Sequence, residues 1–209
     1  MKPIGRPVGI TAEQTRAAVL AAASEEFSER GYTRSSIRRI AERAGLTSAA
    51  IYYHFPTKLA CLEAVQNDAL EVLRSYWDPI MARDGHIADR VAQLLKASAL
   101  INREHPHMAR ISARSIIEDA AGHSEMSKVA GTVRGYTDEV YERLVSDALR
   151  RGELTTVASA QAIRDMISGL MLGLANVAAL QQPPDQYAAA IDALGELLAG
   201  RLFILANRG

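Results

Sequence analysis

The sequence has little cysteine, few aromatic residues and no long apolar run. Its one cysteine, Cys61, cannot form an internal disulfide. Aromatic residues make up 5% of the chain, whereas alanine, leucine, isoleucine and valine are frequent, and this composition favours helix over sheet. The most apolar stretch, residues 169–180, contains Asn176 and follows two charged residues. It is therefore too polar for a membrane span and predicts a buried helix.

The chain has no excess of charge of either sign, with 24 Lys and Arg against 24 Asp and Glu. The charges are unevenly placed: residues 1–60 carry nine basic residues against five acids, and the remainder carries 15 against 19. We call residues 1–60 the head and the remainder the body. A basic head and an acidic body indicate that only the head contacts nucleic acid. Because the first residues also lack the apolar segment of a secretory signal, we expect a cytoplasmic protein.

Apolar periodicity predicts helices along the whole chain and no strand. Residues 1–10, with two glycines and two prolines, are expected to be a flexible arm. Thr11 and Gln14 form a capping-box pattern that begins the first helix, and Gly31 is expected to end it. Further helices are predicted over 37–44, 49–55, 58–77, 87–103, 106–119, 125–151, 157–180 and 184–206. The predicted fold is all-α, with a three-helix domain over 11–56 and a larger helical domain over 57–209.

Three small or shape-critical residues follow the spacing of a helix-turn-helix. Ala41 stands where two short helices nearly touch, Gly45 where the turn needs a positive φ, and Ile51 where the later helix leans on the earlier one. Arginines at 38, 39 and 43 are expected to face outward beside this turn. The spacing also fits an ordinary αα-hairpin with a glycine turn, in which the arginines form a solvated face.

The segment "GYTRSSIRRIAERAGLTSAAIYYHFPTKLACL", residues 31–62, resembles the DNA-binding signature of the TetR family of bacterial transcriptional regulators. The resemblance covers about 50 amino-terminal residues, while the rest of the chain matches only in length and helical character. It implies that the helix beginning near Thr47 enters the major groove. Thr47, Ser48 and Ala49 would then reach base edges, and Tyr52, Tyr53 and His54 would touch phosphate or sugar.

Four further residues are candidates for DNA contact. Lys58 stands at the start of the fourth helix, whose free N–H groups favour a phosphate. Ser36 and Arg38 are candidates for backbone contacts from the second helix. In the arm, "GRP" resembles a minor-groove hook in which Arg6 would enter an A·T-rich groove. A disordered tail is the alternative for the arm.

The carboxyl-terminal helices are apolar on two faces, so each needs two partners. One face would serve the body core and the other a second copy of the chain, an arrangement that the family resemblance also implies; deep burial in one chain is the alternative. The predicted dimer contacts are Met166, Gly169, Leu170, Gly173, Leu194, Leu198 and Leu202.

The helices between the head and this interface are expected to surround a ligand cavity. Its predicted lining combines soft apolar side chains with hydroxyl tips, although ordinary core packing would explain the same residues. The candidates are Trp77, Leu94, Met108, Ile111, Ile116, Met126, Tyr136 and Tyr141.

Neither a metal centre nor a catalytic set emerges from the sequence. His105 and His107 are two residues apart and so do not share a helical face, which favours a linking turn over a metal site. We therefore predict no metal, no cofactor and no enzyme. The leading hypothesis is a homodimeric repressor released from a palindromic DNA operator by a small-molecule effector. An activator, a nucleoid-associated DNA binder, or an all-α enzyme or carrier with a structural hairpin remain alternatives.

Overall fold

The computed structural model describes residues 11–120, 124–154, 158–180 and 185–198, and these residues form helices joined by short turns. The predicted all-α class is confirmed across these ranges. The helices, in chain order, are α1 (Ala12–Arg34), α2 (Ile37–Ala44), α3 (Ser48–His54), α4 (Lys58–Met81), α5 (Ile87–Glu104), α6 (Pro106–Ala120), α7 (Ser124–Arg151), α8 (Ala160–Leu180) and α9 (Asp185–Leu198).

The caps of the first helices follow the sequence closely. The Thr11 hydroxyl accepts the N–H of Gln14, and the Gln14 side chain accepts the N–H of Thr11, so the predicted capping box is confirmed. Ser36 caps α2, and Thr47 caps α3. Between those helices Gly45 has φ 66°, a left-handed conformation that costs glycine little. These signals fix the helix-turn-helix locally.

The first helix does not end at Gly31, as the sequence suggested. Gly31 has φ 73°, which interrupts the regular helix, but the chain resumes helical geometry and continues to Arg34. The Ser35 N–H and hydroxyl both bond to the Tyr32 carbonyl, at 3.2 Å and 2.6 Å, and so close this last turn. Gly31 is therefore a kink rather than an end.

The prediction that α4 stops before Asp78-Pro79 is wrong, because the helix runs on to Met81. Proline lacks an N–H, but so near a helix end it removes only one intrahelical bond. Trp77 and Met81 are buried in the body core and hold this turn in place. The Tyr136 hydroxyl also donates to Asp78 Oδ1 at 2.8 Å.

The later helices match their predicted positions within a few residues. α5 begins with an unforeseen cap, since His86 Nδ1 accepts the N–H of Ala88 at 3.2 Å and Glu153 accepts the N–H of Ile87 at 2.7 Å. α7 ends at Gly152, which has φ 67°. α8 begins at Ala160 rather than near 157. The predicted continuation of α9 to 206 lies outside the described residues.

The buried apolar residues form two clusters, which we call the head core and the body core. The head core joins α1–α3 to Cys61, Leu62 and Val65 of α4 and to Ile111 of α6. The body core joins α4 from Leu73 onward to α5, α7, α8 and α9. Because α4 contributes to both, the domain boundary at 56 stays a prediction. No described helix is long and apolar enough to cross a membrane.

Candidate nucleic-acid interface and body cavity

The recognition helix α3 is anchored on one side and open on the other. Ile51 is fully buried, and Phe55, which follows the helix, packs beneath the guanidinium of Arg16. On the opposite side Tyr52 is 52% exposed and Tyr53 is 84% exposed. Tyr53 meets the ring of His54 edge-on, with centroids 5.2 Å apart. The three predicted phosphate contacts of this helix are thus adjacent to one another.

The start of α3 presents small side chains. Thr47 and Ala49 are exposed and Ser48 is partly buried. The Thr47 hydroxyl accepts the N–H of Ala50 at 3.2 Å, which leaves its own proton available for donation. Ser36 has the same arrangement at the start of α2, where its hydroxyl accepts the N–H of Arg39 at 3.3 Å.

Arg43 is exposed like the other α2 arginines, as the sequence predicts, but its guanidinium is paired with acids of α1. Its guanidinium turns toward α1, where Nη1 lies 3.2 Å from Glu25 and Nε lies 3.2 Å from Glu26, and it also bonds Glu29. Hydrogen bonding to Glu29 raises the pKa of Arg43. Glu26 is 1% exposed. This network ties α2 to α1 and neutralises part of the basic head.

Arg38 remains on the outer face of α2, where it pairs with Glu42 at 3.1 Å. Such an exposed pair is weak, so the guanidinium can exchange partners at low cost. Arg6 lies outside the described residues. The Arg38 and Arg6 assignments both stay predictions.

Lys58 is engaged within the protein rather than directed at solvent. Its ammonium donates to the carbonyls of Tyr32 at 2.8 Å and Ser35 at 3.2 Å, and lies 4.1 Å from the centre of the Tyr32 ring. It thereby holds the carboxyl end of α1 against the start of α4. A direct phosphate contact would require it to leave these partners.

The body contains a cavity of about 350 Å³ bounded by α4, α5, α6, α7 and α8. Of the predicted lining residues, Trp77, Met108 and Tyr141 line it. Leu94 and Tyr136 do not line it, although they belong to the same body core as Trp77 and Tyr141. Ile111 belongs to the head core. The side chains of Ile116 and Met126 lie outside the described residues. α8 contributes Ser168, Met171, Leu172 and Ala175, which the prediction of a cavity between the fourth and seventh helices missed.

Two tyrosines near the cavity differ in how their hydroxyls are bonded. The Tyr136 hydroxyl donates to Asp78. Burial is the main cause of the raised pKa of Tyr136, and the bond to Asp78 raises it further. Tyr141 is 5% exposed, and burial likewise raises its pKa. Its hydroxyl makes no hydrogen bond with a described residue.

Helix α6 joins the body to the head through Arg114, which was not a candidate in the sequence, and through His107, which was expected in a linking turn but lies in this helix. Arg114 donates to the carbonyls of Ser28 and Glu29, each at 2.7 Å. His107 Nδ1 lies 3.1 Å from the Ser28 hydroxyl. An arginine amid apolar residues of a helix was the available signal, but its partners lie 85 and 86 positions away. Among the described residues no group of His, Cys, Asp and Glu could hold a metal ion.

The predicted dimer residues are largely uncovered. Met166 is 60% exposed, and Gly169 and Gly173 are exposed on the same helix. A Cβ at either glycine would meet no atom within 4 Å. Leu170 and Leu194 are partly buried. The Leu198 side chain and Leu202 lie outside the described residues.

Comparisons with known proteins agree with this geometry. The profile of the bacterial regulatory proteins, tetR family, matches residues 19–65. The HTH-type transcriptional repressor BepR of Brucella suis biovar 1 (strain 1330) is 29% identical over 177 residues, which are 79% of this chain and 80% of BepR. The HTH-type transcriptional regulator SrpR of Pseudomonas putida is 27% identical over 175 residues, 82% of this chain and 78% of SrpR.

A solved structure supports the same fold over nearly the whole chain. The transcriptional regulator FadR from Bacillus subtilis, in complex with stearoyl-CoA, superposes with a TM-score of 0.73 and 16% identity, covering 90% of this chain and 99% of FadR. The profile spans the helix-turn-helix, and the relatives extend the similarity into the body. The chain thus has the DNA-binding signature of the TetR family at residues 19–65 and is similar to transcriptional regulators over about four fifths of its length.

Proposed function

We propose that this chain is a homodimeric repressor that binds a palindromic DNA operator and leaves it when a small molecule enters the body cavity. The observation that carries the proposal is the outer face of α3, where Tyr52 and Tyr53 are exposed on a helix anchored by the buried Ile51. Large rings with polar tips suit the junction between an apolar core and a phosphate backbone.

In this proposal the start of α3 reads the major groove. Thr47 and Ser48 donate hydroxyl protons to base edges or phosphates, and the exposed methyl of Ala49 meets a thymine methyl. Because alanines at 49 and 50 make no base hydrogen bonds, part of the sequence preference comes from DNA shape.

Phosphate contacts come from the two sides of the turn. Tyr52, Tyr53 and His54 contact the backbone on one side of the groove, and Ser36 and Arg38 contact it on the other. The amino-terminal turn of α4 supplies N–H groups for a further phosphate. Lys58 acts mainly by holding α1 against α4, given its two carbonyl partners.

The proposed dimer joins the α8 and α9 helices of two copies around a two-fold axis. It is supported by the exposed apolar side chains on these helices, Met166, Leu172 and Leu197, and by the open glycines at 169 and 173, where backbones can approach closely. Such a pair would present two α3 helices to half-sites one helical turn apart, roughly 34–36 Å.

Release would begin at the cavity wall. α6 supplies Met108, Ser112 and Ser115 to the cavity and holds α1 through Arg114. α4 supplies a second part of the wall and holds α1 through Lys58. A ligand that favours a different spacing of these helices would change the separation of the two heads and lower operator affinity.

Footprinting on the promoter region beside the chain's own gene tests the proposal. We expect protection of two half-sites at a protein concentration that leaves random DNA unprotected at moderate salt. A reporter in a deletion strain should rise when the gene is removed, whereas a fall would identify an activator. Protection no better than on random DNA would contradict operator binding.

A matched pair of tyrosine variants tests the assignment of the interface. Tyr53→Phe removes one phosphate donor and should weaken operator binding about fivefold. Tyr76→Phe removes the same atom from a body tyrosine that bonds Glu104, and should leave operator affinity unchanged. Equal affinities for Tyr53→Phe and the unaltered protein would exclude Tyr53 from the contact.

A further inference from the structure

On the α4 side, the wall of the body cavity is apolar between a polar group at each end. Along α4 the lining residues are Gln66, Ala69, Leu73 and Trp77, which form one stripe. At a rise of 1.5 Å per residue, Gln66 and Trp77 are about 16 Å apart along the helix. With a volume of about 350 Å³, the cavity therefore favours an elongated ligand, at the small end of usual ligand sites.

Several polar groups of the wall are already committed to partners. The hydroxyls of Ser98 and Ser115 donate to the carbonyls of Leu94 and Ile111, each at 2.8 Å. The Thr137 hydroxyl donates to the Arg134 carbonyl at 2.9 Å. A hydroxyl with one proton that bonds its own helix has no second proton for a ligand. These three side chains therefore contribute acceptor atoms only.

Among the described residues, Asn102, Ser112 and Ser168 also line the cavity and keep their donors, and two further donors lie together at the Trp77 end. The indole N–H of Trp77 is buried without a hydrogen-bond partner among the described residues, and Trp77 is 3% exposed. The Tyr141 hydroxyl likewise makes no bond with a described residue, and its ring centroid lies 6.1 Å from that of Trp77. Buried polar groups are normally paired, so two unpaired donors beside a cavity indicate that a bound molecule supplies the acceptor.

The cavity wall carries little charge. Among the described lining residues Arg134 and Asp138 are the charged ones, and both are exposed on α7, one turn apart and opposite in sign. Asp138 lies close enough to Tyr141 for its charge to add to the raised pKa of that hydroxyl, so an anionic group of a ligand would find repulsion and no counter-charge beside Trp77 and Tyr141. Because an unpaired buried charge is costly, the buried part of the ligand must carry no negative charge.

We propose that the cavity binds an elongated molecule without a negative charge, apolar along most of its length, with an acceptor oxygen at the Trp77 and Tyr141 end. This rests on the proposed function, because the molecule would be the effector. Tyr141 is the residue that selects it, since its hydroxyl donates to the ligand's oxygen. Gln66, 7% exposed at the other end, has an amide that can donate or accept.

Three probes of similar size test the proposal on the full-length dimer without DNA: butyrophenone, butylbenzene and phenylbutyrate. Trp77 is the single tryptophan, so its emission reports binding in the cavity, and calorimetry gives the affinity. We expect the ketone to bind about tenfold more tightly than the hydrocarbon. The ionised acid should bind at least about tenfold more weakly than the ketone.

Two variants separate selection by Tyr141 from general effects on the body. Tyr141→Phe should reduce the preference for ketone over hydrocarbon to about twofold, without lowering the midpoint of thermal unfolding, because its hydroxyl has no partner to lose. Tyr136→Phe removes a bonded hydroxyl away from the wall and should leave the tenfold preference intact.

The proposal is overturned if no probe binds, if the three bind equally, if the acid binds best, or if Tyr141→Phe keeps the full preference. These outcomes are independent of operator binding. Operator protection with failed probe binding would refute the ligand class alone. Selective probe binding by a protein that protects no operator would refute the repressor function alone.

Discussion

The head core and the body core differ in how their buried polar groups are satisfied. In the head, the Glu26 carboxylate lies among arginines at 30, 39 and 43: Oε2 accepts a hydrogen bond from Arg43, and Oε1 has ion pairs but no hydrogen bond among the described residues. The ammonium of Lys58 bonds two carbonyls. In the body, the donors of Trp77 and Tyr141 stand beside a cavity without partners in the described part of the chain.

This difference separates two physical tasks. A DNA-reading unit must keep one shape, and dense packing with shared ion pairs restricts alternatives. A ligand-sensing unit must leave volume and unsatisfied donors that a guest molecule can complete. The comparison predicts that equivalent substitutions will have unequal effects in the two cores.

The largest contrast is expected from truncating one buried aliphatic residue in each core. Ile51→Ala should lower the free energy of unfolding by about 3–4 kcal/mol, because it opens a void in a fully packed site. Leu73→Ala should cost about 2 kcal/mol, since Leu73 already faces the cavity on one side and makes fewer contacts. Urea unfolding measures both, and an equal cost would contradict the difference in packing.

The second contrast concerns charge. Arg90 bonds Asp147 at 3.0 Å in the body, and this bond is the main cause of the lowered pKa of Asp147. The Arg90–Asp147 pair therefore contributes its full stabilisation of the folded state above the ordinary Asp pKa of 3.8. This contribution is lost as the pH falls through the lower pKa that Asp147 has in the folded state. Asp147→Asn should cost about 2 kcal/mol at pH 7 and flatten the loss of stability in acid.

Glu25→Gln is the matched control in the head. Arg43 keeps Glu26 and Glu29 when Glu25 is neutralised, so the free energy of unfolding should change by less than about 0.5 kcal/mol. Denaturant titrations between pH 7 and pH 3 measure both variants. A larger cost for Glu25→Gln than for Asp147→Asn would show that the head network is not redundant.

A smaller effect on stability is expected at the joint between head and body. Arg114→Ala removes two bonds to carbonyls of α1 and should cost about 1–2 kcal/mol. It should also reduce the change in operator affinity that an effector produces. Arg110→Ala, one turn earlier on α6, should change the free energy of unfolding by less than about 0.5 kcal/mol and leave the response intact.

The smallest contrast lies between two buried tyrosines of the body. Tyr136→Phe loses the bond to Asp78 and should cost about 1 kcal/mol, whereas Tyr141→Phe should cost nothing or stabilise slightly. Thermal unfolding of the two variants without ligand gives the difference. A destabilised Tyr141→Phe would mean that its hydroxyl has a partner in the ligand-free protein.

The helix-turn-helix could be predicted because its signals are local. Ser36, Gly45 and Thr47 each act on the backbone within four residues, so the sequence alone indicates where α2 and α3 begin and end. The prediction at Pro79 was wrong because it also used only a local signal. The tendency of proline to break a helix was outweighed by the packing of Trp77 and Met81 against distant parts of the chain.

The cavity and the joint could be predicted only in part. Helical periodicity indicates which face of a helix points inward, but it does not distinguish a residue beside a void from one in solid packing. Trp77 and Tyr141 line the cavity, while Leu94 and Tyr136, with equally inward positions, do not. The pairing of Arg43 with α1 acids 14 to 18 positions away also depends on tertiary geometry.

The kink at Gly31 has a mechanical consequence. Ahead of it, α1 is held at residues 28 and 29 by α6; beyond it, at residues 32 and 35 by α4. Gly31, the one residue of α1 without helical geometry, thus lies between two attachment points, and the helices that make them, α6 and α4, are different walls of the same cavity. A displacement of α6 relative to α4 would bend α1 at Gly31. Expansion of the cavity would therefore rotate the head.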